Sequence, residues 1–225
     1  MKIGGLQPFT LSDFPGRMAA IVFAQGCNFR CRYCHNGSLI PPMPEREALI
    51  PESEALRFLE SRRGRLDGVV VSGGEPTLQA DLPEFLRKIR AMGYQTKLDT
   101  NGSQPRMLEI LLDAKLLDFI AMDIKAPWEM YSAVAGTPVD VEAVRESVRL
   151  IARSGLEHEF RTTASEALFS AKDAAAIRQA APLGSPHRFQ ALRLENAPKP
   201  LAVARAGYQP AENRLAGAIC ARKTA

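Results

Sequence analysis

Short apolar runs alternate with segments of helical period along most of the chain. Six runs rich in β-branched or aromatic residues predict strands, at 19–24, 68–72, 95–100, 119–124, 158–163 and 188–194. Between the runs, apolar residues recur at intervals of three and four, as they do on the buried face of a helix. A strand followed by a helix, repeated about six times, predicts an α/β protein with a mostly parallel sheet.

Proline, aspartate and glycine mark the ends of the predicted helices. Pro105 stands where a first helical turn begins, and Asp81 and Asp140 each precede an apolar periodic segment as candidate N-caps. Gly93 and Gly155 follow two of these segments, which places them as helix stops. These signals divide the chain into separate β–α units.

Polar residues lie at or just after the ends of four consecutive predicted strands, and Arg161 lies within the fifth. The four polar segments are 27–35, 73–76, 99–102 and 123–125. Active sites of β/α barrels are built at the carboxyl ends of the strands, so this regularity favours a barrel. Six units are two short of a closed (β/α)8 barrel, which predicts an open, partial (β/α)6 TIM-like barrel. A doubly wound flat sheet is the alternative.

Length and composition place the protein among soluble globular domains. The 225 residues are compatible with one barrel domain over 1–195, followed by an extension over 196–225 to which the sequence assigns no role. The formal net charge is +4 without a basic stripe carrying interleaved aromatics, so we expect no nucleic-acid partner. Because no secretory signal and no membrane-length apolar run is present, we expect a cytoplasmic protein without a membrane partner.

Three of the four cysteines, Cys27, Cys31 and Cys34, lie within eight residues, and His35 follows at once. A c-type haem site fits C-x-x-C-H but belongs mostly to exported proteins. A thioredoxin-like dithiol leaves Cys27 unexplained. Structural zinc would take His35 or Cys220 as its fourth ligand. Tetrahedral zinc sites usually join two separated ligand pairs, and the adjacent Cys34 and His35 would not easily bind one ion together. An iron–sulfur cluster is the fourth possibility, and three thiolates would leave one iron of a [4Fe–4S] cluster open to a small chelating molecule.

The spacing CxxxCxxC over 27–34, with the aromatic Tyr33 before its last cysteine, resembles the radical S-adenosylmethionine (SAM) superfamily. Gly73-Gly74-Glu75-Pro76, after the second predicted strand, resembles the second hallmark of that family. The segments 5–40, 69–82, 97–102 and 122–127 are similar to activating enzymes of glycyl radical enzymes. Within that group they resemble anaerobic ribonucleoside-triphosphate reductase activating proteins, with pyruvate formate-lyase activating enzymes as near relatives.

This resemblance covers about residues 3–195 and implies the radical SAM fold and its chemistry. It implies that Cys27, Cys31 and Cys34 bind a [4Fe–4S] cluster whose open iron is chelated by SAM. Reductive cleavage of SAM would yield a radical that removes a hydrogen atom from a glycine of a partner glycyl radical enzyme. Flavodoxin or ferredoxin is the expected electron donor. A radical SAM enzyme acting on a small molecule or nucleotide precursor is one alternative, and a zinc-binding interaction module is another.

The resemblance also implies a set of cofactor-binding residues. They are Tyr33, Cys34, His35, Gly73, Gly74, Glu75, Asp99, Thr100, Asn101, Asp123, Ile124, Lys125 and Arg161, with Lys125 also placed in the catalytic set. Gly73 and Gly74 lack side chains, which permits close approach of backbone to a ligand. Arg161 suits a carboxylate such as that of the methionyl group, although a structural ion pair is an equal alternative.

Two further details come from the same comparison of motifs. Asp99, the Thr100 carbonyl and Asp123 are candidate ligands of a monovalent cation. Some relatives carry a histidine near the end of the sixth strand, where this chain has none. Gln190 or Arg193 is expected to substitute for it, or the contact is absent.

Overall fold

The protein is described by a computed structural model that covers residues 1–31, 33–44, 49–164 and 168–192. Its strands are β1 (Ile3–Thr10), β2 (Ala19–Ala24), β3 (Gly68–Gly73), β4 (Gln95–Thr100), β5 (Phe119–Asp123), β6 (Glu157–Ala164) and β7 (His187–Ala191). Its helices are α1 (Glu52–Ser61), α2 (Leu82–Ala91), α3 (Pro105–Asp113), α4 (Tyr131–Ala135), α5 (Val141–Arg153) and α6 (Ala171–Ala180). All six predicted strands are present, as β2 to β7.

The strands form one sheet in the order in which they occur along the chain, from β1 to β7. Strands β2 to β7 are parallel to one another. A doubly wound sheet would reverse its strand order at a switch point. The described strands show no such reversal, so the partial β/α barrel is confirmed.

Alternate residues of the buried strands face two different cores. Val69 and Val71 of β3 pack in the large core between the sheet and the helices. Val70 points to the opposite, inner face, where it packs with Phe14, Ile21 and other residues of a smaller cluster. Because both faces are covered, these strands are almost continuously apolar, as the sequence pattern predicted.

Strand β1 is the element that the six-strand prediction missed. It pairs antiparallel with β2 at the edge of the sheet, and its register is interrupted twice along its eight residues. Gly4, Gly5 and Pro8 lie within it. Glycine and proline are depleted in strands, so this segment carried little β signal despite its position beside β2.

Both predicted aspartates stand at the N-cap positions of their helices, but only one of them caps the helix with its side chain. Asp140 caps α5, since its side chain accepts a hydrogen bond from the Ala143 backbone N–H at 3.2 Å. Asp81 precedes α2 but makes no capping hydrogen bond with its side chain. Its carboxylate instead lies 2.6 Å from the Met1 amino group, and this ion pair competes with capping.

Parts of two further predictions lie outside the described residues. The extension over 196–225 and Arg193 belong to the undescribed end of the chain. Within the described ranges, no helix has the length and apolar character needed to cross a bilayer.

Candidate functional site

A cavity of about 390 Å³ opens at the carboxyl ends of the strands and gathers nearly all of the predicted site residues. Its lining includes Cys27, Cys31, Tyr33, Cys34, His35, Gly73, Gly74, Glu75, Asp99, Thr100, Asn101, Asp123, Lys125, Arg161 and Gln190. Ile124 does not line the cavity. Its side chain is fully buried, and its carbonyl accepts a hydrogen bond from the Thr162 hydroxyl at 2.7 Å.

The cysteine loop follows β2 and is tied to neighbouring segments through its backbone. The Cys27 N–H donates to the Ile40 carbonyl at 3.0 Å, and the Arg30 N–H donates to the Ala135 carbonyl at 2.7 Å. A turn bond from the Cys34 N–H to the Cys31 carbonyl, at 3.1 Å, closes the last part of the motif. The loop therefore presents its three partly buried, free thiols to one cavity.

Burial favours the neutral form of two of these thiols. Desolvation raises the pKa of Cys27 to about 11, and it also raises the pKa of Cys31. A thiol must lose its proton to bind a metal, so loading of the site releases protons.

The donor set fits an iron–sulfur cluster. Three cysteine thiols on one loop provide the ligands that such clusters use. In the described parts of the chain, no three His, Cys, Asp or Glu side chains are placed to hold a single metal ion. A [4Fe–4S] cluster does not need that placement, because each thiolate binds a different iron.

Tyr33 adds a buried polar atom to the cavity wall. Its side chain is only 4% exposed and packs in the large core between the sheet and the helices. Its hydroxyl has no hydrogen-bond partner among the described residues. Burial raises the pKa of this phenol, so the hydroxyl stays protonated and can donate a hydrogen bond. The predicted role of Tyr33 in cofactor binding stays a prediction.

Gly73 and Gly74 are explained by the close approach of two loops. A Cβ atom at Gly74 would lie 2.2 Å from the Gly26 carbonyl oxygen. The Gly74 N–H donates to the Ala24 carbonyl at 2.9 Å, and the Glu75 N–H donates to the Gly26 carbonyl at 2.8 Å. Any side chain at Gly74 would therefore separate the glycine loop from the cysteine loop. The predicted approach of a ligand to this backbone stays a prediction.

Glu75 joins the loop after β3 to the loop after β4. Its carboxylate accepts hydrogen bonds from the Thr77 N–H at 3.1 Å, the Thr100 hydroxyl at 2.8 Å and the Asn101 N–H at 2.6 Å. Burial raises the pKa of Glu75, and these neutral donors offset the effect only in part. Both carboxylate oxygens are thus engaged by the protein, although the sequence predicted Glu75 as a cofactor contact.

Asp99 and Asp123 belong to a network of charges across β4, β5 and β6. Arg161 Nε lies 2.9 Å from Asp123 Oδ1, and Arg161 Nη1 lies 3.4 Å from Asp99 Oδ2. Lys125 Nζ lies 2.8 Å from Asp123 Oδ2, and Lys97 contacts Asp99. Burial alone would raise the pKa of both carboxyls, but the nearby cations outweigh it and lower both pKa values.

Lys97 and Ser72 are two members of this network that sequence reasoning missed. The Lys97 side chain is 1% exposed, and its ammonium lies 5.7 Å from the centre of the Phe119 ring. Ser72 donates to Asp99 at 3.1 Å. One signal was available: Lys97 lies two residues before Asp99 in a strand, so both side chains point to the same face.

The comparisons with known proteins identify the family of this chain. Residues 21–165, more than half of the chain, match the family described as the radical SAM superfamily. A protein of Methanocaldococcus jannaschii named as a glycyl-radical enzyme activating enzyme is 32% identical over 147 residues, which are 65% of this chain and 59% of that protein. The pyruvate formate-lyase-activating enzyme of Listeria monocytogenes is 40% identical over 132 residues, which are 55% of this chain and 53% of that enzyme.

Solved structures show the same fold at low sequence identity. Streptococcus suis SuiB bound to S-adenosylmethionine has a TM-score of 0.59 at 18% identity, covering 76% of this chain and 39% of that chain. Native anSMEcpe with bound AdoMet has a TM-score of 0.57 at 17% identity, covering 75% of this chain and 50% of that chain. The chain spans only between half and three fifths of the two curated relatives.

Proposed function

Because this chain belongs to the radical SAM superfamily, we propose that it activates a glycyl radical enzyme by removing a hydrogen atom from a glycine of that partner. The observation that carries the proposal is the cavity, where three thiols meet four charged side chains of the network, and the fifth, Lys97, contacts Asp99. Relatives that are 32% and 40% identical carry the names of such activating enzymes, which supports it.

Membership of the family implies a [4Fe–4S] cluster and SAM. We assign Cys27, Cys31 and Cys34 as the cluster ligands. When bound and supplied with one electron, the cluster and SAM provide reductive cleavage of a C–S bond and hence a hydrogen-abstracting radical. The loop that carries the thiols places all three, partly buried, in the lining of the cavity.

The charge network is suited to the carboxylate of SAM. Lys97, Lys125 and Arg161 provide three positive charges against the two negative charges of Asp99 and Asp123. The network therefore keeps one excess positive charge, which an added carboxylate would neutralise. Arg161 forms structural ion pairs, which were the alternative considered from sequence. We propose that its remaining N–H groups donate to the carboxylate of SAM.

A monovalent cation is less compatible with this arrangement. The resemblance placed it between Asp99, the Thr100 carbonyl and Asp123. Each of those two carboxylates already contacts two protein cations. An added cation would have to compete with the three basic side chains for these carboxylates, and the cation site stays a prediction.

We propose anaerobic ribonucleoside-triphosphate reductase as the first partner to test and pyruvate formate-lyase as the second. Flavodoxin or ferredoxin is the proposed electron donor, because the reaction requires one electron for each SAM cleaved. The experiment mixes the anaerobically reconstituted protein with SAM, reduced donor and each candidate partner. A glycyl radical signal by electron paramagnetic resonance (EPR), with 5′-deoxyadenosine as product, is the expected result.

Cys34→Ala is the control, and it should yield neither the radical nor 5′-deoxyadenosine. Cleavage of SAM that leaves both partners without a radical, but increases with a small-molecule substrate, would favour the small-molecule enzyme instead. A colourless protein that binds zinc and no iron would favour the interaction module.

A further inference from the structure

Asn101 connects the loop after β4 to the cysteine loop. Its side chain is 5% exposed. The Nδ2 atom lies 3.0 Å from Asn28 Oδ1 and 3.9 Å from Cys27 Sγ. A side-chain amide has two N–H groups, so Asn101 can donate one to Asn28 and the other to the sulfur.

The orientation of this amide is set by its neighbours. The Ser103 N–H donates to Asn101 Oδ1 at 2.9 Å, while Asn28 Nδ2 donates to the Ser103 hydroxyl at 2.9 Å. The Asn101 backbone N–H is held by Glu75 at 2.6 Å. A flipped amide would direct its NH2 group at the Ser103 N–H, leaving two donors facing each other. The NH2 edge therefore faces Cys27.

We propose that Asn101 is a positioning residue that donates a hydrogen bond to the Cys27 thiolate and thereby raises the reduction potential of the cluster. The backbone N–H of Phe29, at 3.4 Å, is a second donor to the same sulfur. Hydrogen bonds to ligand sulfurs stabilise the more negative, reduced form of a cluster. This inference rests on the cluster ligands and not on the identity of the partner enzyme.

The test is an EPR-monitored redox titration of the full chain with its cluster reconstituted. Asn101→Ala removes the donor, so the ratio of reduced to oxidised cluster at a fixed potential should fall by about threefold. Asn101→Asp keeps an oxygen for the Ser103 N–H but turns a second oxygen toward the thiolate. Its ratio should fall by about tenfold, which is about 59 mV for a one-electron couple.

Ser103→Ala is the matched control. It removes the hydroxyl that Asn28 contacts but keeps the backbone N–H that holds Asn101, so its potential should equal that of the unmodified protein. Equal potentials in all three variants, each loaded with four irons, would overturn the proposal. Failure of both Asn101 variants to hold iron, while Ser103→Ala holds it, would also overturn it and assign Asn101 to cluster binding.

Because no partner enzyme takes part, the titration can succeed even where glycyl radical formation fails. The absence of any cluster in the unmodified protein would instead defeat the proposed function first. The two failures are therefore distinguishable.

Discussion

Glu75 and Asp99 are acidic residues on the wall of one cavity, but the protein surrounds them with different partners. Neutral N–H and O–H groups of Thr77, Thr100 and Asn101 donate to Glu75. Two cationic side chains, Lys97 and Arg161, contact Asp99. The pKa of Glu75 is raised because burial dominates, whereas the pKa of Asp99 is lowered because the cations dominate.

The difference shows that the type of partner, more than burial, decides what a buried carboxylate does. Neutral donors make Glu75 a link between two loops. Cationic partners make Asp99 part of a charge balance that a ligand can alter. Four predictions test this contrast.

The largest effect is expected at Asp99. Replacement by alanine would leave the Lys97 ammonium, which is 1% exposed, without its carboxylate partner. We expect the free energy of unfolding to fall by about 3–5 kcal/mol, measured by anaerobic urea denaturation. Glu60→Ala, which removes an exposed ion pair with Arg63, should lower the free energy of unfolding far less. Similar losses in the two variants would contradict the assignment of a buried charge pair.

A second substitution should rescue part of that loss. Lys97→Met keeps the length of the side chain and removes its charge, so in an Asp99→Asn background no buried ammonium is left unpaired. The double variant should be about 2 kcal/mol more stable than additivity of the two single variants predicts. Simple additivity in the double-mutant cycle would show that Lys97 and Asp99 do not depend on each other.

Loss of the hydrogen bonds of Glu75 should lower the free energy of unfolding somewhat less than replacement of Asp99. Glu75→Gln keeps one acceptor oxygen but presents an NH2 group to one of the existing donors. A buried donor left unsatisfied costs about 1–3 kcal/mol, which is the expected loss in the same urea experiment. An unchanged stability would mean that the loops are held together by other contacts.

The smallest effect is a difference in pH dependence, and its sign differs between the two residues. The pKa of Asp99 lies below its ordinary 3.8, so its stabilisation is present above that pH and is lost as the pH falls toward the folded-state pKa. The pKa of Glu75 lies above its ordinary 4.5, so its ionisation reduces stability as the pH rises through the folded-state pKa.

Unfolding measured from about pH 6 to about pH 3 separates these cases. The stability gap between the unmodified protein and Asp99→Asn should shrink on acidification, and the gap to Glu75→Gln should grow. If both stability gaps shrink or both grow on acidification, the hydrogen-bond and ion-pair partners do not determine the ionisation of the two carboxyl groups.

Continuous apolar runs made the parallel strands predictable, because strands covered on both faces need them. The repetition of about six β–α units then predicted the partial barrel. Strand β1 was not predictable in this way, since its edge position tolerates Gly4, Gly5 and Pro8. Asp81 looked like a cap from local sequence, but a contact with Met1 far away in the chain determines its position.

The motifs predicted which residues meet at the cavity, but not which hydrogen bonds and ion pairs these residues form. Glu75 turned out to hold two loops. Lys97 was missed although its position two residues before Asp99 in a strand puts both side chains on the same face. Ile124 carried the same motif as Asp123 and Lys125 but faces the core. Alternation along a strand places neighbours on opposite faces, which a motif alone does not express.

The sequential strand order also determines when the site is completed during synthesis. As the chain emerges from the ribosome, each new strand finds its partner strand already made, and none has to be inserted between two others. Asp99 and Asp123 each meet a lysine two residues away. Arg161 reaches Asp99 only after 62 further residues have been added. The guanidinium that joins both carboxylates is therefore the last charge to arrive, and the ligand pocket takes its final form late in translation.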